Sequence, residues 1–268
     1  MRHVLGALGL VVVVGCGGAG ATILGNGDGG GGDSGSASDA SGDAAPSPDA
    51  ADDATDGSTC TSPPVCAANQ QCTTFDDANP FPPFSSSAKG SGTVQVTSTT
   101  SVSCPSSLLA TLPAVAAASG ARATISSGAQ ISTAPPHVSL ELDVLLPAQT
   151  SAASFFTVFP DSGGSVGLFV DGAGTWSLVV RGGTSTPLAP QPKVGVWTHM
   201  KLDVTFGGDS VGKATLAYGG DTTTFSGNTN PTNGNVGAVG VEVGIDPGDG
   251  ATTTAMSAYY DNVVYSPF

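Results

Sequence analysis

The amino-acid sequence predicts an all-β protein whose folded part is a sandwich of two antiparallel β-sheets. From residue 75 onward, short segments rich in β-branched residues recur between clusters of Gly, Pro, Asn and Asp, a pattern typical of strands and turns. About a dozen such segments follow one another without alternating helical patterns, and this order favours two packed antiparallel sheets. The number of strands predicts a jelly roll rather than an immunoglobulin-type sandwich.

The segment 137–146 shows the strand pattern most clearly, because its even-numbered apolar residues alternate with polar ones and so share one buried face. Tight hairpins are expected at 171–174 and 218–221, where Gly and Asp lie between strands. One helical candidate, 106–120, is interrupted by Pro113. In chain order, the predicted strands are 93–97, 107–112, 122–126, 137–146, 154–159, 165–171, 175–181, 196–206, 211–218, 222–225, 236–245 and 256–265.

The charge of the chain excludes several classes of partner. The sequence has 268 residues, 7 Lys and Arg against 21 Asp and Glu, and a formal net charge of −14. Nucleic-acid binding needs a clustered basic face, and docking on an anionic membrane needs exposed Lys and Arg. Neither a nucleic acid nor an anionic membrane surface is therefore expected as a partner.

Residues 1–15 form a predicted signal peptide. Arg2 precedes an apolar run over residues 4–14, which is shorter than the ~20 residues of a membrane-spanning helix. The run ends in Val13-Val14-Gly15-Cys16, which resembles the lipobox of bacterial lipoproteins. The resemblance implies cleavage before Cys16 and lipidation of Cys16, and Gly17 in place of Asp favours the outer membrane. An ordinary secretory signal or a buried N-terminal strand is the alternative.

Residues 16–59 are expected to form a disordered acidic tether between the lipid anchor and the folded part. The segment consists mainly of Gly, Ser, Ala, Asp and Pro, and its eight aspartates have no Lys or Arg beside them. Such a composition buries too little apolar surface to offset the loss of conformational entropy on folding.

Residues 60–72 form a cysteine-rich entry to the β-sandwich domain, which is assigned to residues 73–268. With Cys16 lipidated, Cys60, Cys66, Cys72 and Cys104 remain, and an even number in an exported chain predicts two disulfides. Four cysteines allow three pairings, of which we expect Cys60–Cys66 with Cys72–Cys104. A zinc site is disfavoured because the sequence has no CxxC pair.

Four segments carry a resemblance to the concanavalin A-like lectin and glucanase superfamily, which includes laminin-G-like modules. They are the Phe-Asp-Asp of 75–77, the strand entry at 103–108, the Trp-led strand at 195–204 and the Tyr-Tyr-Asp strand at 258–264. The resemblance covers 75–268 and implies a jelly roll that binds or cleaves glycans. It also implies a structural Ca²⁺ near the meeting of the first and last strands, with Asp76, Asp77 and Asp261 as candidate ligands.

An enzyme of this superfamily would need a pair of catalytic carboxyl groups. The family motif Glu-x-Asp-x-x-Glu has a partial counterpart in Glu141-Leu142-Asp143, but Leu146 stands where the last acid would be. We therefore interpret Glu141 and Asp143 as polar residues on the outer face of a strand. His137 and His199 are the candidate groups for lyase chemistry, although both lie in predicted strands, where a structural role also explains their presence.

A glycan-binding site would need exposed aromatic rings and polar side chains. Trp176 follows a glycine-rich turn and is expected near the surface, whereas Trp197 is expected in the core. Adjacent strand residues face opposite ways, so one residue of the pair Tyr259 and Tyr260 must point outward. The loop 226–235 contributes Asn230 and Asn233 as candidate polar contacts.

These patterns favour an exported, lipid-anchored lipoprotein that displays a non-catalytic binding module at the cell surface, with a polysaccharide as the candidate ligand. The first alternative is a glycoside hydrolase or polysaccharide lyase with an unusual set of carboxyl groups. The second is a structural envelope protein without a ligand.

Overall fold

A computed structural model describes residues 60–131, 136–146, 148, 151–181, 184–207, 212–230 and 235–268. The predicted signal peptide 1–15, Cys16, the tether 16–59 and Asn233 lie outside the described residues. In chain order, the fifteen strands are β1 (Gln71–Thr73), β2 (Ser85–Ser86), β3 (Thr93–Thr97), β4 (Ser107–Leu112), β5 (Ala123–Gln130), β6 (His137–Leu145), β7 (Ala153–Pro160), β8 (Ser165–Val170), β9 (Trp176–Arg181), β10 (Ser185–Pro187), β11 (Trp197–Thr205), β12 (Gly212–Tyr218), β13 (Asp221–Gly227), β14 (Ala238–Asp246) and β15 (Met256–Pro267).

The strands form two antiparallel sheets. The eight-stranded sheet has the order β13-β12-β11-β6-β15-β4-β3, with β1 paired to the second half of β15. The seven-stranded sheet has the order β10-β9-β8-β7-β14-β5-β2. The described part of the chain contains no helix, and therefore none that is long and apolar enough to span a membrane. The predicted jelly-roll β-sandwich is confirmed.

The core lies between the sheets, where alternate residues of each central strand meet. Leu140, Leu142 and Val144 of β6 face inward together with Val241 and Val243 of β14, and all five are fully buried. Burial of such side chains is the main favourable contribution to folding, at about 1.5–3 kcal/mol each.

Two tyrosines of β15 join the sheets across this core. The Tyr260 hydroxyl donates to the carbonyl of Phe155, 3.1 Å away, and the Tyr265 hydroxyl donates to the carbonyl of Val239, 2.7 Å away. Burial raises the pKa of Tyr265 to about 12 and that of Tyr260 well above its usual value. Both phenols therefore stay neutral and act as hydrogen-bond donors.

The four cysteines of the described chain form two disulfides, as predicted, but the expected pairing is wrong. The bonds are Cys60–Cys104 and Cys66–Cys72. Strand β1 places Cys72 beside Val264 of β15, so Cys72 closes the short loop that leads into this strand. Cys60 instead lies beside the 98–106 loop between β3 and β4, where the amide of Thr61 donates to the carbonyl of Val102.

Two β-bulges lie side by side in the seven-stranded sheet. The register between β14 and β7 shifts between Val243 and Asp246, and the register between β7 and β8 shifts between Ser154 and Phe156. Gly244 takes the bulge conformation with a φ of +135°, which L-residues with a side chain rarely adopt. The bulges leave Ser154 and Asp246 on the outer face of the sheet, where bulges commonly re-aim functional side chains.

Candidate active site

A groove lies on the outer face of the seven-stranded sheet. Its volume is about 730 Å³, within the range of small-molecule sites. Strands β7, β8, β9, β10 and β14 supply its walls, together with Arg122 just before β5, the turn between β7 and β8, and the loop after β14. We call it the main groove, and the lining residues used below are Arg122, Thr157, Phe159, Gly167, Phe169, Arg181, Glu242, Asp246 and Gly248.

Strand register places Glu242 on the floor of the main groove. Glu242 of β14 lies opposite Ser126 of β5 and Thr157 of β7. Thr157 in turn lies opposite Gly167 of β8, whose missing side chain leaves the floor low beside the carboxyl group. Because Val241 and Val243 are buried in the core, strand alternation directs Glu242 outward into the groove.

The surroundings of Glu242 change its acidity. The Thr124 hydroxyl donates to Oε1 at 2.6 Å, and Nη1 of Arg122 lies 3.7 Å from the same oxygen. The side chain is only 16% exposed. Burial raises the pKa of Glu242, the negative charge of Asp246 adds to this effect, and the Thr124 and Arg122 contacts oppose it. A carboxyl group with a raised pKa is suited to proton transfer near neutral pH.

Both arginines of the domain lie at the main groove. Arg122 and Arg181 line it, and the charge of Lys89 reaches Glu242 from beside Arg122. Arg181 approaches the opposite wall, because a Cβ on Gly248 would lie 3.2 Å from Nη2 of Arg181. The other cations of the domain are Lys193, Lys201 and Lys213. A net acidic domain thus concentrates guanidinium groups, which pair well with carboxylates, around one cavity.

Two partly exposed phenylalanines add apolar surface to the main groove. Phe159 of β7 and Phe169 of β8 both face outward between buried neighbours. Within the described residues, the groove lining contains neither histidine nor tyrosine. Glu242 and Asp246 are therefore the groove's candidate groups for acid–base chemistry.

Three of the predicted glycan-binding residues are buried. Trp176 is 3% exposed and packs against Phe155 with ring centroids 4.9 Å apart, so the expectation of a surface position is wrong. Its place in β9, in phase with the inward-facing Leu178 and Val180, explains the burial. Tyr260 and Asn230 are fully buried as well, so neither side chain is available to a ligand at the surface.

The remaining aromatic candidates lie on the sheet opposite the main groove. Tyr259 is the outward-facing residue of its pair and is partly exposed on the eight-stranded sheet. Trp197 is partly exposed rather than buried in the core, and its indole N–H donates to Oγ1 of Thr100 at 3.2 Å. Neither residue reaches the main groove.

The predicted calcium ligands hold the 98–106 loop. Both carboxylate oxygens of Asp261 accept hydrogen bonds from this loop, from the amides of Val102 and Ser103 and from the Ser103 hydroxyl. Oδ1 of Asp76 accepts from the amide of Ser106, and Asp77 is exposed. Among the described residues, no group of three or more His, Cys, Asp and Glu side chains is arranged to hold a metal ion. Calcium binding by Asp76, Asp77 and Asp261 stays a prediction.

Glu141 and Asp143 lie on the outer face of β6, as expected, and contact a histidine. Nδ1 of His199 lies 3.0 Å from Oδ1 of Asp143, and Nε2 lies 3.3 Å from Oε1 of Glu141. The hydrogen bond to Asp143 raises the pKa of His199. This cluster lies on the eight-stranded sheet, on the opposite side of the sandwich from the main groove.

Sequence reasoning missed Glu242 as a site residue. The partial family motif for a carboxyl pair lies in β6, and Glu242 lies outside that motif. The available signal was local: Glu242 is the one acidic residue inside the run Val239–Ile245 of β14, and Gly244 two residues later indicates a bulge.

No family model matches this sequence, and no curated protein matches it. Solved structures share its fold. An endo-β-1,4-glucuronan lyase from the fungus Trichoderma reesei superposes with a TM-score of 0.54 at 11% identity, over 75% of this chain and 95% of that chain. A marine PL-14 alginate lyase from Aplysia kurodai has a TM-score of 0.50 at 10% identity, over 75% and 99%.

A cellulose-induced protein also has a TM-score of 0.50, at 14% identity, over 74% of this chain and 96% of that chain. At these identities the likeness concerns the jelly-roll β-sandwich alone.

Proposed function

We propose that this protein cleaves an acidic polysaccharide by β-elimination in the main groove, with Glu242 as the base. The observation that carries the proposal is a carboxyl group with a raised pKa on the floor of a groove that two arginines also line. The proposal replaces the non-catalytic binding module that the sequence favoured, because Glu242 supplies the proton-transfer group that the β6 carboxylates do not bring to a cavity.

The walls of the main groove suit a sugar chain with carboxylate groups. Phe159 and Phe169 offer apolar surface against which the face of a sugar ring packs. Arg122 and Arg181 offer planar donor pairs that match a carboxylate. The fold is shared with a glucuronan lyase and an alginate lyase, and this likeness supports a uronate polymer as the substrate class.

The elimination assigns a step to each group. The carbon next to the sugar carboxylate, C5, loses its proton to Glu242, and the C–H electron pair forms the C4=C5 double bond. The C4–O bond breaks, and the departing oxygen takes the proton back from Glu242. An arginine paired with the sugar carboxylate stabilises the negative charge that develops there in the transition state. Arg122 and Thr124 both contact Oε1, so we assign the proton transfer to Oε2.

Hydrolysis is the second candidate reaction, and the proximity of Asp246 favours it. The charge of Asp246 raises the pKa of Glu242, and a pair of carboxyl groups supplies the usual acid and nucleophile or base of glycosidases. The two reactions give different products, because elimination leaves an unsaturated sugar that absorbs ultraviolet light and hydrolysis does not.

A cleavage assay tests the proposal with a matched pair of variants. The chain has two glutamates, Glu242 in the groove and Glu141 on the opposite sheet. On glucuronan or alginate, we expect ultraviolet-absorbing products from the wild type and from Glu141→Gln. Glu242→Gln should lower kcat by about 100- to 10,000-fold. An uncharged β-glucan should not be cleaved.

Three results would contradict elimination by Glu242. Equal loss of activity in both variants would show that Glu242 has no special role. New reducing ends without ultraviolet absorbance would favour hydrolysis. Binding of the polysaccharide by the wild type without any turnover would return the protein to the class of non-catalytic binding modules.

A further inference from the structure

A second compartment adjoins the main groove on the same face of the seven-stranded sheet. It has a volume of about 360 Å³. We call it the side compartment, and it is lined by residues of β5 and β14 and by Phe159 and Asp161. Phe159 lines both cavities, so its ring is the wall that they share. From this arrangement and the proposed function on which it rests, we infer that a polysaccharide chain passes Phe159 and occupies both cavities, so that cleavage is internal to the chain.

The order of residues along β14 supports a continuous path. Ala238, Val239 and Gly240 line the side compartment, whereas Glu242 and Asp246 line the main groove. Residues two apart on one face of a strand are about 7 Å apart. The side compartment therefore begins within about one sugar ring of the carboxyl group assigned to catalysis.

The floor of the side compartment has no side chains at its centre. Gly128 of β5 lies opposite Gly240 of β14, which lies opposite Phe159 of β7. A Cβ on Gly240 would lie 2.4 Å from ring carbons of Phe159, so the absence of a side chain lets the ring lie over the strand. Two paired glycines beside an aromatic ring form a flat, low surface of the kind on which a sugar ring stacks.

The polar groups of the side compartment complete a sugar-binding surface. The Gln130 side chain is exposed at one rim. Asp161 forms the other rim and is held there, because its carboxylate accepts from the amides of Gly237 and Ala238 at 3.2 and 3.1 Å. In contrast to the main groove, the residues that line the side compartment include no cation. We therefore expect the second sugar to bind mainly through its apolar face and its hydroxyl groups.

Gly128 allows the side compartment to be filled without disturbing the main groove. A Cβ on Gly128 would lie 3.5 Å from the carbonyl oxygen of Val239, an ordinary van der Waals contact. The substitution Gly128→Phe should therefore fold and place its ring in the side compartment. Gly128→Ala is the matched control, because it adds a methyl group and leaves the compartment open.

The experiment measures the binding of glucuronan oligosaccharides of increasing length by calorimetry in the Glu242→Gln background. We expect affinity to rise with length until both cavities are filled. Gly128→Phe should weaken the binding of long oligosaccharides by about tenfold and leave the binding of the shortest ones unchanged. Phe159→Leu changes both cavities, so it should weaken the binding of all lengths and that of the long oligosaccharides most. Phe169→Leu, which changes the main groove alone, should weaken the binding of oligosaccharides of every length to the same degree. Gly128→Ala should not change their binding.

The possible failures are distinguishable. If no glucuronan or alginate oligosaccharide binds, the proposed function itself is wrong. Short and long oligosaccharides that bind equally well would show that the sugar occupies the main groove and does not pass Phe159. Equal weakening of the binding of all lengths by Gly128→Phe would show the same.

Discussion

Asp261 shows how one buried carboxylate organises a loop. It is fully buried and accepts hydrogen bonds from the amides of Val102, Ser103 and Asn262 and from the Ser103 hydroxyl. Burial raises the pKa of Asp261, and these four donors act in the opposite direction. The superfamily resemblance suggested a calcium ligand at this position, because it implies an ion near the meeting of the first and last strands. The partners of such a residue depend on a loop 158 residues earlier, which no local pattern reveals.

Replacing Asp261 by Asn should destabilise the fold by about 2–4 kcal/mol. Each carboxylate oxygen accepts from at least one backbone amide, so the NH₂ group of an asparagine would face an N–H donor in either orientation. Urea unfolding measures the loss. The exposed Asp77 supplies the control, since Asp77→Asn should change stability by less than about 0.5 kcal/mol. Equal stability of both variants would show that the 98–106 loop does not depend on Asp261.

His199 should make the stability of the protein depend on pH. The hydrogen bond to Asp143, followed by the charges of Asp143 and Glu141, raises the pKa of His199, while burial and Lys201 oppose the rise. Because the folded-state pKa is raised, the protonated imidazole stabilises the fold fully below the unfolded pKa of about 6.5. This contribution is lost as pH rises through the folded-state pKa.

The destabilisation caused by His199→Gln should therefore be larger at about pH 6 than at about pH 9. Unfolding in urea at both values measures the difference. In an Asp143→Asn background the dependence should weaken, because the largest cause of the shift has been removed. A destabilisation that is the same at both pH values would contradict the assigned ion pairs.

In individual strands, the alternation of buried and exposed residues predicts more side-chain positions than were assigned from the sequence. The twelve predicted strands correspond to β3–β9 and β11–β15, with ends that differ by a few residues. Three short strands, β1, β2 and β10, were missed, because two or three residues carry no periodic signal. Both tryptophans were misplaced, although the inward phase of Leu178 and Met200 in their own strands places Trp176 inside and Trp197 outside.

The bulges could not be read from alternation, since a bulge is the point where alternation fails. Phe155 and Phe156 are adjacent and both buried, which a regular strand does not allow. The glycine at position 244 was visible, but its partner strand was not. Glu242 and Asp246 are four residues apart on β14, so alternation puts both carboxyl groups on one face, but no pattern within β14 reveals the cavity beside them.

Gly244→Ala should destabilise the fold by about 3 kcal/mol or more. The φ of +135° is unfavourable for alanine, and its Cβ would lie 2.1 Å from the carbonyl oxygen of Ala123. Gly172→Ala is the control, because a Cβ at position 172 meets no atom within 4 Å. Thermal unfolding of the two variants measures the contrast. A Gly244→Ala protein as stable as the control would show that the bulge is not needed.

At the scale of the whole molecule, the chain enters the domain on the side away from the groove. Cys60 is bonded to Cys104 in the 98–106 loop. That loop is held by Asp261 of β15 and by Trp197 of β11, both on the outer face of the eight-stranded sheet. The main groove lies on the outer face of the other sheet, away from Cys60.

Anchoring through Cys16 stays a prediction from the sequence. A lipid on Cys16 would hold the protein at a membrane, with the net charge of the 16–59 segment keeping that segment solvated. Cys16→Ala should move the protein from the membrane fraction to the soluble fraction of the producing cell. Unchanged membrane association of Cys16→Ala would show that another segment attaches the protein.

The central claim is that Glu242 moves the proton during cleavage, and the pH dependence of kcat/KM on an acidic polysaccharide tests it most directly. Glu242 must be ionised to act as a base, so activity should rise with pH through a pKa above the usual value for glutamate. The Asp246→Asn variant should stay active, and its kcat/KM should rise at a lower pH than that of the wild type, because the charge of Asp246 raises the pKa of Glu242. A rise of kcat/KM at the same pH in both proteins, or loss of activity in Asp246→Asn, would contradict the role of Glu242 as the base.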